Sequence, residues 1–175
     1  MNAISALSIA LEPAALLVAG FGNPAHADDI AGLLAAHRLS ESMCATADFW
    51  LEGESEFLPD PLFRDQILIV DSIITGASGG TIHLARFPEP RLVPRSFASD
   101  PARLKALEAT GADVFLIGIE IESLRSDALP SEPVIEAVEW LSANFESVLK
   151  ILEVMDDARI RLSPPTFFPR RYRLY

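Results

Sequence analysis

Three short, unbroken apolar runs limit what this chain can become: ALLVAG at residues 15–20, QILIV at 66–70 and VFLIGI at 114–119. A strand with one wet face alternates, whereas one covered by helices on both faces reads as continuously apolar. Helical spacing lies between and after these runs. From Asp28 onward, Ile30, Leu33, Leu34 and His37 share a face; Ser99-Asp100-Pro101 has the chemistry of a helix start, with Gly111 as the stop. Val134, Ile135, Val138, Leu141, Phe145, Val148, Leu149 and Leu152 then predict the longest helix. Met43 to Leu51 is a weaker strand, the acidic stretch EGESEFLPDP a loop or short helix, and Thr81 to Arg86 a strand near the sheet's edge. The strand QILIV is expected to stop at Asp71, and three prolines between Phe87 and Arg95 predict a loop. The pattern reads as α/β: a single three-layer sandwich, with a mostly parallel five-stranded sheet and helices on both faces.

At 175 residues, half of them hydrophobic, the chain can bury one core. That core is expected over residues 14–157, preceded by an N-terminal extension (1–13) and followed by a basic, aromatic tail (158–175). The net charge of −11 disfavours nonspecific nucleic-acid binding, since a polyanion is repelled over the whole surface. The tail is the exception. Arg159, Arg161, Arg170, Arg171 and Arg173 lie in a stretch without acids, so residues 1–158 carry −16, from −11 minus 5. Such a tail either pairs with its own acidic domain or docks an acidic partner. Cys44 is the only cysteine, which excludes an internal disulfide and fits a reducing cytoplasm. The apolar start has no basic region and is broken by Glu12 and Pro13; no run is long enough to span a bilayer, so neither a signal peptide nor a membrane partner is expected.

In open α/β sheets, ligands gather beyond the carboxyl ends of the strands. Three strands deliver acids there: Asp28 and Asp29 after the first, Asp71 after the second, Glu120 and Glu122 after the third. The turn GFGNPAHADD fits a loose dinucleotide fingerprint, with Asp48 downstream. Two acids at the helix start and Pro24 in the loop oppose a pyrophosphate there. Carboxylates from separate strand ends beside an imidazole suit a divalent metal. Acids in a helix's first turn also simply stabilise its dipole, by roughly 0.3–1 kcal/mol each.

Three segments resemble the hydrogenase maturation proteases, which trim a C-terminal peptide from the nickel-containing large subunit: LLVAGFGNPAHADDIAG, DQILIVDSIITGASGGTIHLARF and DVFLIGIEIESLRSDALPSEPVIEAVEWL. They occur in the family's order and spacing. The resemblance implies a five-stranded sheet and a cleft with two carboxylates and one histidine that read nickel in the substrate. It puts the carboxylates on Asp29 and Asp71, with Gly22, Asn23, Gly76 and Glu120 along the substrate cleft. The family's histidine is absent: its register falls near Ala98, Ser99 or Asp100. Asp100 is either an oxygen ligand or a helix cap. Asp28 and His26 are further ligand candidates; His83 is expected to pack or pair within the sheet and His37 to lie at the helix surface. The family's glycine after the acid pair is replaced by Ile30.

The activity so implied is metal-dependent removal of a C-terminal peptide from a nickel-loaded hydrogenase large-subunit precursor. Nickel, or another divalent ion, would be read in the substrate rather than permanently bound. The alternative is a noncatalytic relative that assembles a hydrogenase subunit or another metalloprotein.

Overall fold

The computed structural model describes residues 16–43, 47–51, 65–89, 92, 94, 101–126, 129–155 and 160–163. β1 is Leu16–Gly20; a 3-10 turn at Ala27–Ile30 leads into α1, Ala31–Met43. β2 is Ala47–Leu51, β3 Gln66–Ile73 and β4 Ile82–Arg86. α2 is Pro101–Ala109, β5 Asp113–Glu120, α3 Glu132–Glu153 and β6 Ile160–Leu162. Among the described residues, no helix is long and apolar enough to cross a membrane.

The strands form one sheet in the order β2-β1-β3-β5-β4-β6. β2, β1, β3 and β5 pair in parallel, whereas β4 is antiparallel to both β5 and β6. The expected five, mostly parallel strands are thus corrected to six in a mixed sheet. The connection from Ile73 to Ile82 is too short for a crossover, which needs a dozen or more residues, so the chain must turn back at the same end. β6 lies in the stretch read from sequence as tail.

Period-2 alternation divides the core between the two faces. Val18, Leu68, Val70, Leu84, Ile117 and Ile119 pack with α1 and α3; Leu17, Ala19, Ile67, Ile69, Ala85 and Leu116 pack with Leu107 of α2. Helices on both faces are therefore observed. Continuous apolar runs were the correct signal for strands that have no wet side.

Three element boundaries shift. β3 does not stop at Asp71: Asp71, Ser72 and Ile73 stay paired with Gly118, Ile119 and Glu120, because β5 supplies a partner three residues past the end of β1. The turn that carries the acids, Ala27–Ile30, is 3-10 rather than α-helical. Met43 closes α1 instead of opening β2.

Candidate functional site

The longer β3 marks the candidate crevice, the reversal point of the sheet. α1 carries the chain from β1 outward to β2, and β3 joins the opposite side of β1, so the chain reverses direction between β1 and β3. That reversal is where α/β sheets bind ligands. Beyond the last β1–β3 contact, Phe21 N–H to Val70 carbonyl at 2.9 Å, β3 continues alone on that side with Asp71 and Ser72.

Two glycines let the turn close over this end. A Cβ on Gly32 would stand 2.2 Å from the Val70 carbonyl oxygen and 2.8 Å from Asp71 Cα, so the start of α1 rests directly on β3. A Cβ on Gly22, at φ 152°, would meet the Asp29 carbonyl oxygen at 2.1 Å. Neither contact tolerates a side chain. Ile30 stands where the resemblance places a glycine, and the close approach to β3 is made two residues later, by Gly32.

Asp28 and Asp29 are adjacent and both buried, yet their surroundings differ. Asp28 accepts from Glu122 N–H (3.0 Å), Ser123 N–H (2.9 Å), Ser131 N–H (2.5 Å) and Ser131 Oγ–H (3.0 Å). Its carboxylate is thereby fully engaged, joining the β1–α1 turn to the β5–α3 loop and the start of α3. Asp29 instead accepts a hydrogen bond from the hydroxyl of Ser72. Ser72 directly follows Asp71, whose Oδ1 accepts the Ser72 N–H at 2.7 Å. Ser72 therefore connects the two acids that the sequence singled out, although no sequence signal beyond its position beside Asp71 marks it.

The remaining candidates take other places. His26 is half-buried, and its backbone bridges to Ser126, fixing the turn to the opposite loop. Asn23 holds the turn's shape, its Oδ1 accepting Ala25 N–H at 3.0 Å. Glu120 Oε1 accepts the amides of Thr75 (2.7 Å) and Gly76 (2.9 Å), and Oε2 accepts the Thr75 hydroxyl (2.8 Å). His83 Nε2 lies 3.3 Å from Glu120 Oε2, both groups buried, so His83 pairs within the sheet as read from sequence. Asp100 lies outside the described residues, as do Ala98 and Ser99. Among the described residues, no three of His, Cys, Asp and Glu converge to hold a metal ion. None of His26, His37 and His83 therefore completes a three-donor site with Asp29 and Asp71. At the reversal point, Asp29 and Asp71 are both buried and are connected through Ser72.

Solved structures carry the same architecture. The nickel–iron hydrogenase maturation protease HybD from Thermococcus kodakarensis matches with a TM-score of 0.64 at 21% identity, over 77% of this chain and 98% of that one. The chain has the maturation-protease fold. The maturation protease HycI from the same organism gives 0.58 at 26% identity, covering 79% of this chain and 92% of its own. The hydrogenase maturating endopeptidase HybD from E. coli gives 0.58 at 23%, covering 85% and 98%. Neither a protein-family model nor a curated protein matches the chain. Within the maturation-protease fold, the three segments quoted from sequence account for β1 and its turn, β3 to β4, and β5 to α3.

Proposed function

We propose that this protein acts in hydrogenase maturation, as a metal-dependent endopeptidase that removes a C-terminal peptide from a nickel-loaded large-subunit precursor. The observation that carries this reading is the link from Asp29 through Ser72 to Asp71 at the point where the strand order reverses. In this reading, nickel arrives on the precursor and meets the Asp29 and Asp71 carboxylates. A substrate-borne ion brings ligands with it, so two protein oxygens suffice to recognise it. When bound, a divalent ion supplies Lewis acidity for amide hydrolysis. Asp29 and Asp71 orient the loaded precursor, while Asp28 and Glu120 fix the loops on either side. A cytoplasmic location fits this role.

A second reading is a relative that binds the precursor without cutting it. It is favoured by one observation: no group of three His, Cys, Asp or Glu residues able to hold a metal ion occurs among the described residues. Incubation with nickel-loaded precursor decides between the two. A shortened precursor, lost with Asp29→Ala or Asp71→Ala, supports the protease; a complex holding full-length precursor overturns it in favour of the assembly role.

A further inference from the structure

The turn between β3 and β4 is held in two different ways. Its closing half is tied by backbone pairing: Gly80 N–H donates to the Glu120 carbonyl and Glu120 N–H to the Thr81 carbonyl, each at 2.9 Å. Its opening half hangs on one side chain. Glu120 Oε1 accepts the amides of Thr75 (2.7 Å) and Gly76 (2.9 Å), and Oε2 accepts the Thr75 hydroxyl (2.8 Å). Strand register fixes a backbone ladder, whereas a glutamate can turn about its side-chain bonds. These three bonds therefore require that Glu120 be kept in one orientation.

His83 is placed to do this. Register sets it opposite Gly118 of β5, which stands opposite Asp71 of β3, while Glu120 stands opposite Ile73. Paired residues and those two apart share a face, so His83, Asp71, Ile73 and Glu120 lie on the same side of the sheet. A Cβ on Gly118 would stand 2.5 Å from Ile73 Cδ1, so the Ile73 side chain fills the space between Asp71 and His83. The imidazole reaches Glu120 instead. Its Nε2 lies 3.3 Å from Glu120 Oε2, and both side chains are buried. That is long for a hydrogen bond, so the contact acts chiefly through charge, in a place where water does not screen it. On the other side of β4, Arg161 of β6 stands opposite His83 and is exposed. A bare ring nitrogen would set its lone pair against the carboxylate oxygen in this dry site; a protonated one is attracted to it.

We propose that His83 is a positioning residue: its protonated Nε2 holds the Glu120 carboxylate in the orientation that the Thr75 and Gly76 amides need. His83 acts through Glu120, because Ile73 stands between it and Asp71. Thr75 lies four residues beyond Asp71, so the place of this turn bears on what reaches that carboxylate. That consequence rests on the proposed function, whereas the positioning does not.

The first test needs no variant. In the isotope-labelled full chain at neutral pH, nitrogen shifts and one-bond proton couplings of the His83 ring should report a proton on Nε2. A bare Nε2 overturns the proposal. The second test compares His83→Gln, which keeps an N–H donor at a similar reach, with His83→Met, which fills the space without one. Hydrogen exchange of the Thr75 and Gly76 amides should be about tenfold faster in His83→Met and close to the unaltered rate in His83→Gln, with the Gly80 amide as the unchanged reference. Equal exchange in the two variants would assign His83 to packing alone and overturn the proposal. If a variant does not fold, the ring measurement decides. Neither readout involves cleavage, so failure here is distinct from failure of the protease reading.

Discussion

Asp28 and Asp29 occupy one turn of 3-10 helix, and their neighbourhoods divide the candidate site into a frame and a candidate crevice. Asp28 is surrounded by four donors from the β5–α3 loop and the start of α3. Asp29 points to Ser72, next to Asp71 on β3. Sequence adjacency therefore says little about role; what separates the two acids is which donors the fold brings to each.

The largest effect expected is on the frame. Asp28→Ala leaves three part-buried amides and a hydroxyl without their acceptor, and urea unfolding should show a loss of about 3–4 kcal/mol. Asp29→Ala acts on the crevice. If the chain cleaves the precursor as proposed, cleavage should fall by more than about 100-fold, beyond the loss typical of a supporting group, while unfolding midpoints change far less than for Asp28→Ala. If Asp29→Ala proved the more destabilising of the two, the division between frame and crevice would be wrong.

Gly32→Ala sharpens the comparison at the place where the two regions meet. Its methyl must displace β3 backbone at Val70 and Asp71, so a destabilisation of about 2–3 kcal/mol is expected from thermal melts. Ser72→Ala is the mildest change. Losing a single hydroxyl bond to Asp29 should cost about 1 kcal/mol and lower cleavage without abolishing it. Complete loss of cleavage with unchanged stability would instead move Ser72 into the chemistry itself.

Some of this was legible before any coordinates. ALLVAG, QILIV and VFLIGI announce strands covered on both faces, and Val134 to Leu152 announces α3, because burial on two faces and on one helical stripe leaves different periodicities. Asp29 and Asp71 were identifiable as acids at the carboxyl end of the sheet, although Asp71 lies within β3 rather than at its end. The roles of Asp28 and Glu120 were not, since their donors are backbone amides, to which every residue type contributes equally. Ser72 was hidden for a related reason: a serine beside an acid is common, and only pairing with β5 carries it past the end of β1. The orientation of β4 was legible in the brevity of its connection but was outweighed by the alternation of strands and helices.

The amino-acid order by itself determined the layers: five of the six strands, the long helix that covers them and the acids at the carboxyl end of the sheet, because hydrophobic burial follows local periodicity. Only the tertiary structure decided which acid ties the β1–α1 turn to the β5–α3 loop and which reaches across to Ser72 on β3. Hydrogen bonds spanning about a hundred residues, such as Ser131 N–H to Asp28, depend on strand order and register, and no local pattern encodes them.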